Sequence, residues 1–204
     1  MRLGLGSPRC LLVIAPHPDD ETIGAYALMT RLRRRGVAVR ILVVTDGGAS
    51  HTASPTWPWQ RLIRERRCET LRAVRSLGIF RGDVTFLGLP DGRLVHEARR
   101  AHRLIEGAIR RAPKPLLVIA PSRSDDHPDH RVVAASVGFR RHACVRRLAY
   151  PVWPAGAAIR HARVVTLSAQ ERLAKRRTIR SYRTQAGRIA DDPTGFTMTR
   201  AEIG

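Results

Sequence analysis

The sequence predicts an α/β protein: a single Rossmann-like domain of three layers, with a mainly parallel sheet and helices on both faces. Three observations predict it. Short runs of branched apolar residues, each of buried-strand length, alternate with longer stretches that carry an apolar stripe at helical spacing. Glycine closes two of those helical stretches, at Gly36 and Gly78. Two of the strands end in Ala-Pro and lead into His-Pro-Asp, first at Ala15 to Asp19 and again from Ala120-Pro121 to His127-Pro128-Asp129.

Residues 1–8 have no periodic pattern and are expected to form a flexible arm. Gly4-Leu5-Gly6 precedes the first strand, the wrong side for a dinucleotide loop. Leu11 to Ala15 has the length and branching of a buried strand. Pro18 carries the fixed φ of a first helical turn, and the acidic residues behind it suit a positive helix N-terminus. Thr22 to Arg35 then bears the stripe Ile23, Ala27, Leu28 and Leu32. Val37 to Thr45 is a second strand, closed by Asp46-Gly47-Gly48. Ala49 to Trp59, with Pro55, Pro58 and two tryptophans, is irregular and lies just past a strand end, the place for a substrate loop.

Gln60 to Leu77 is a basic helix with Leu62, Ile63, Leu71, Val74 and Leu77 on one side. Asp83 to Leu87 is a short strand, and Gly88 to Gly92 a turn by composition. Val95 to Arg111 is a helix, Leu116 to Ala120 a buried strand, and Asp129 to His142 a helix. Arg147 to Tyr150 and Arg163 to Leu167 are late strands. Ser168 caps a helix over Ala169 to Tyr182, with Glu171 completing a capping box. The tail from Arg183 has no clear period. No composition shift marks a boundary, so residues 1–204 read as one domain.

A chain of 204 residues can bury an ample core. No apolar run reaches the length of a membrane span or a signal-peptide core. Cys10, Cys68 and Cys144 are odd in number and lack CxxC spacing, which fits a reducing cytoplasm. The net charge of +20 favours anionic partners. Its arginines are nevertheless scattered through every helix with few aromatics between them, and no nucleic-acid-binding pattern appears. A basic nucleic-acid-binding module stays a minor alternative, and self-association is left open.

The chemistry concentrates in the two His-Pro-Asp clusters. Each offers imidazole and carboxylate or imidazole at positions i and i+3, so both can face one centre. Pro-Asp-Asp-Glu alone is a common helix start, but its pairing with a second cluster at a second Ala-Pro strand end is not. His17, Asp20 and His130 supply three N/O ligands, leaving Asp19, His127 and Asp129. Three protein ligands and an open fourth position is the layout of a catalytic zinc site. His51, His96, His102, His142 and His161 lack partnered spacing and read as surface residues.

With Ala15 to Glu21 (APHPDDE) and His127 to His130 (HPDH) laid out, the chain resembles the zinc-dependent de-N-acetylases of the PIG-L (LmbE-like) family. Val44 to Gly48, the Arg66/Glu69/Leu77/Gly78 helix and Leu89 to Leu94 (LPDGRL) add to the resemblance, which covers most of the chain. It implies a metal-dependent hydrolase that removes acetyl from an N-acetylglucosamine-type conjugate. His17, Asp20 and His130 would bind Zn2+, or another divalent ion such as Fe2+. Asp19 would be the general base, a protonated His127 would meet the oxyanion, and Asp129 would orient His127. Arg66 and Asp91 fall in segments that reach the sugar in the family, and Asp46 would brace that side. Hydrolysis of another amide or an ester is the alternative chemistry. Arginines 61, 64, 66 and 67 raise the expectation of an anionic group on the substrate. The short run after Tyr182 raises that of an open acceptor side.

Overall fold

In a computed structural model of the chain, residues 5–138, 142–153, 162, 164–199 and 203 are described. Among them the strands β1 (Cys10–Ala15), β2 (Ala38–Thr45), β3 (Val84–Leu89), β4 (Leu116–Pro121) and β5 (Val145–Tyr150) form one sheet. Its order is β3-β2-β1-β4-β5, and every neighbouring pair is parallel. The helices are α1 (Asp20–Arg34), α2 (Trp59–Arg75), α3 (Ala98–Arg111), α4 (Pro128–Gly138) and α5 (Ala169–Arg180). None is long and apolar enough to cross a membrane.

Side chains alternate across each strand, and the two faces of β1 feed two cores. Cys10, Leu12 and Ile14 pack with Ala101, Ile105 and Ile109 of α3 and Val133 and Val137 of α4. Leu11 and Val13 pack with Ala25, Leu28, Met29 and Leu32 of α1 and Val74 of α2. Helices therefore cover both faces, as the sequence predicts. β1 and β4 are buried along their whole length, whereas the edge strands β3 and β5 are half-exposed.

This layering places the site. β1 and β4 are central neighbours, and the chain leaves β1 for β2 on one side but reaches β4 on the other. The strand order reverses between them, opening the crevice where such sheets bind ligands. Both His-Pro-Asp clusters stand at the carboxyl ends of that pair. Gly24 lets Tyr150 close the crevice from the side of β5: a Cβ there would meet the Tyr150 ring at 2.0 Å. The Tyr150 hydroxyl donates to Ile14 O at 3.0 Å.

Several boundaries differ from the expectation. α1 begins at Asp20, because the Asp19 carbonyl already accepts the N–H groups of Thr22 and Ile23. α3 begins at Ala98, after a run of turns. The capping box of Ser168 and Glu171 forms as predicted. The strand expected over Arg163–Leu167 does not form in the described residues 164–167. That segment runs beside α1, where Arg31 holds the Thr166 carbonyl and the Val164 side chain is exposed. Residues 1–4 of the expected arm and 139–141 of the expected helix lie outside the described residues.

Candidate active site and metal centre

β1 delivers His17 to the crevice, and the first turn of α1 delivers Asp20. The start of α4 delivers His130 from the far side of the strand-order reversal. His17 Nδ1 lies 3.1 Å from His130 Nε2 and 3.2 Å from Asp20 Oδ2, and His130 Nε2 lies 3.2 Å from the same Asp20 oxygen. The donor atoms form a nearly equilateral triangle. A tetrahedral centre with bonds of about 2.0–2.1 Å has edges of about 3.3 Å, so the triangle fits a divalent metal such as zinc.

The surrounding charge fits as well. His130 Nδ1 is 3.1 Å from Asp125 Oδ2, and His17 Nε2 is 3.1 Å from Asp91 Oδ1 and 3.4 Å from Asp129 Oδ2. Each imidazole thus has a carboxylate behind it, the arrangement that fixes the tautomer of a metal-ligating histidine. Burial opposes charge on both rings, yet Asp91 and Asp129 beside His17, and Asp20 and then Asp125 beside His130, hold their pKa values above the ordinary range, that of His130 at about 9. Burial likewise opposes charge on Asp20, but His130 and His17 outweigh it and hold its carboxyl well below the usual range. The cluster is one that gathers positive charge. His127 also comes within 4.8 Å of His17 and His130, but Asp20 closes the tighter triangle.

Asp19 and His127 flank the triangle and line a cavity of about 400 Å³. Asp19 is 5% exposed and burial pushes its carboxyl up to about 8, against the pull of Arg66. Arg66 is itself 3% exposed. It donates to Asp19 Oδ2 at 3.2 Å, to Pro18 O at 3.0 Å and to Gly47 O at 2.9 Å. Gly47 has φ 72 and presents its hydrogen side to that guanidinium, where a Cβ would fall 2.9 Å from Nη1. His127 Nδ1 accepts the Asp129 N–H at 3.2 Å, which leaves the ring hydrogen on Nε2. Burial, then His17 and His130, lower the His127 pKa. These surroundings favour a neutral donor where the sequence suggested a protonated one.

The remaining expected residues lie close by but contact other groups. The Asp129 carboxylate accepts the N–H groups of Gly92 (2.8 Å) and Leu94 (3.1 Å) and faces His17. Its contact with His127 is made by its backbone. Asp91 lines the cavity, touches His17, and accepts the Ala49 N–H at 3.0 Å. Asp46 accepts from Gly48 N at 2.9 Å and Asp91 N at 3.4 Å, bracing the loop without lining the cavity. On the basic helix α2, Arg64 is exposed, while other arginines have partners. Arg61 lies over Trp57, Arg67 over Phe86, and Arg72 pairs with Glu65.

Sequence reasoning missed Asp125, whose Oδ1 accepts the His127 N–H at 3.1 Å and whose Oδ2 accepts from Val152 and Trp153 at 3.2 and 3.1 Å. Its only signal was a pair of aspartates before the second cluster. Ala49 and Ser50 line the cavity from the segment read as a substrate loop, whereas Trp153, Gln185, Thr194 and Phe196, which also line it, were missed. The segment after Tyr182, expected to leave the acceptor side open, folds back as a wall. His51, expected on the surface, is buried beneath it, with Gly195 against its ring. His161 lies outside the described residues.

Residues 12–138, spanning both clusters, match the PIG-L family, described as GlcNAc-PI de-N-acetylase. The chain belongs to the PIG-L family. A 1D-myo-inositol 2-acetamido-2-deoxy-alpha-D-glucopyranoside deacetylase of Kineococcus radiotolerans is 35% identical over 91 residues, 43% of this chain and 25% of that relative. Diacetylchitobiose deacetylase of Thermococcus kodakarensis is 31% identical over 124 residues, 59% of this chain and 45% of that relative. The chain thus spans a quarter to under a half of the length of these PIG-L relatives. The crystal structure of a conserved protein of Thermus thermophilus superposes with a TM-score of 0.60 at 30% identity, covering 87% of this chain and 80% of that one.

Proposed function

We propose that the protein is a zinc-dependent N-deacetylase that hydrolyses the acetamide of an N-acetylated sugar conjugate, N-acetylglucosamine being the model unit. The observation that carries this is the donor triangle of His17, Asp20 and His130 with Asp19 and His127 on its flanks, inside one cavity. The names of the relatives support the substrate class, since both are deacetylases of 2-acetamido or diacetylated sugars.

His17, Asp20 and His130 would hold the metal. A zinc ion there supplies positive charge where water and the acetyl carbonyl meet, and makes that water more acidic. Asp19 takes the proton from the attacking water. The Arg66 guanidinium beside it favours its charged form and keeps its carboxylate aimed into the cavity. As the water oxygen bonds to the acetyl carbon, the carbonyl oxygen gains charge. The Nε2–H of His127 donates a hydrogen bond to it, a fixed dipole that needs no reorganisation. The C–N bond then breaks, the amine nitrogen receives the proton held by Asp19, and acetate and the free amino sugar leave. Asp129 acts on this chemistry through His17 and the loop at Gly92. The cavity spans residues from His17 to Phe196, which supports reading the chain as one catalytic domain.

The test is hydrolysis by metal-analysed protein of N-acetylglucosamine glycosides against matched O-acetyl esters. Release of acetate from the amide, dependent on zinc or iron, is expected. Cleavage of the esters alone would assign the site to the other reaction class.

A further inference from the structure

We propose that Glu21 and Tyr182 are positioning residues that hold Asp19 in a strained backbone conformation, so that the segment after α5 fixes where the Asp19 carboxylate points. The inference rests on the reading of Asp19 as the base. Asp19 has φ 140 and ψ −31, a region that side-chain-bearing residues occupy only at a cost. Such a conformation persists where its surroundings over-determine it.

Two restraints do so. The Asp19 carbonyl is drawn into the first turn of α1, accepting Thr22 N at 2.8 Å and Ile23 N at 3.0 Å. The Asp19 N–H is turned the other way and donates to Glu21 Oε2 at 3.1 Å. Glu21 is fully buried, and its second oxygen accepts the hydroxyl of Tyr182, also fully buried. The Tyr182 oxygen lies 2.9 Å from Thr22 Oγ1. Neither Glu21 nor Tyr182 lines the cavity, so their influence on turnover is indirect, and the bond from the Asp19 N–H to Glu21 is the link to the base. The relay runs from Tyr182, just beyond α5, through one carboxylate, to a single backbone N–H.

The geometry distinguishes the substitutions. Glutamine at position 21 can still accept the Asp19 N–H with its carbonyl and meet the Tyr182 oxygen with its amide. Leucine can do neither, and phenylalanine at position 182 removes only the outer link. The test uses the zinc-loaded full chain, with steady-state kinetics, zinc content and amide hydrogen exchange on each variant. Glu21→Gln is expected to keep kcat near the wild-type value. Glu21→Leu is expected to lose about 10²-fold in kcat, with KM and zinc content held. Its Asp19 amide should exchange about tenfold faster while those of Ile41 and Ile119 in the sheet do not change. Tyr182→Phe should fall between, and serves alone if Glu21→Leu does not fold. Unchanged kcat and unchanged Asp19 exchange in Glu21→Leu and Tyr182→Phe would overturn the proposal, as would exchange accelerated throughout the sheet. If the wild type cleaves no N-acetyl substrate, the reading of Asp19 as base fails. The exchange measurement still decides whether Glu21 holds Asp19.

Discussion

Replacing Arg66 by methionine separates a structural brace from a substrate contact. At 3% exposure the guanidinium contacts the Asp19 carboxylate and the carbonyls of Pro18 and Gly47, with Asp91 at 4.0 Å. Methionine restores the volume and none of the donors. It leaves a buried carboxylate without its cation, a loss of about 3–5 kcal/mol when one partner of a buried pair is removed. For a chain of this size that is a fall in Tm of roughly 10 °C. Chemical denaturation of the metal-free protein reads the loss without interference from the metal. A cycle with Asp19→Asn should recover part of it, because asparagine needs no counter-ion. On the loaded enzyme kcat should fall further than KM rises. An Arg66→Met protein of wild-type stability with a raised KM alone would defeat the brace and return Arg66 to the substrate.

Two further outcomes follow from the same contacts. Asp125→Ala removes the carboxylate behind His130 and the acceptor of three backbone N–H groups. Zinc affinity should drop about 10- to 100-fold, read by chelator competition, and an unchanged affinity would show that His130 is oriented by packing alone. Glu69 is buried, accepts both the N–H and hydroxyl of Thr184, and burial raises its pKa despite those bonds. A carboxyl with a raised folded pKa binds its proton more tightly folded than unfolded. Its contribution therefore declines as pH rises from the unfolded value of about 4.3 toward the folded one. Glu69→Gln should flatten that part of the stability–pH curve measured by denaturation. A curve parallel to the wild type would contradict the assignment.

What the sequence disclosed and what it withheld follow from the range of the contacts involved. β1 and β4 are short, fully buried runs, so their apolar character could be read directly. The i, i+3 spacing at two helix starts brings His17 with Asp20 and His127 with His130 without knowledge of the fold. The capping box at Ser168 is equally local. Asp125 acts through N–H groups beyond β5, contacts that no local pattern encodes. The tail has no period because, through residue 199, it forms neither helix nor strand. It is held instead by Thr184 on Glu69 and by Asp191 on Ser54 and Thr56. Residue type told how many acceptors Asp91 and Asp129 bring, but not that both would turn toward His17. α2 misled in the other direction. Its apolar stripe was visible, yet the buried face also carries Arg66 and Glu69, whose partners come from distant loops.

The proposed division of labour at the site is that His17, Asp20 and His130 would hold a metal while Asp19 beside them would move protons without ligating it. Metal stoichiometry and acetate release, measured together on wild type, Asp20→Ala and Asp19→Asn, put that division to the test. The expected result is about one zinc per chain in the wild type and in Asp19→Asn, loss of metal in Asp20→Ala, and turnover in the wild type alone. An Asp20→Ala protein that keeps its metal, or an Asp19→Asn protein that keeps both metal and turnover, would contradict it.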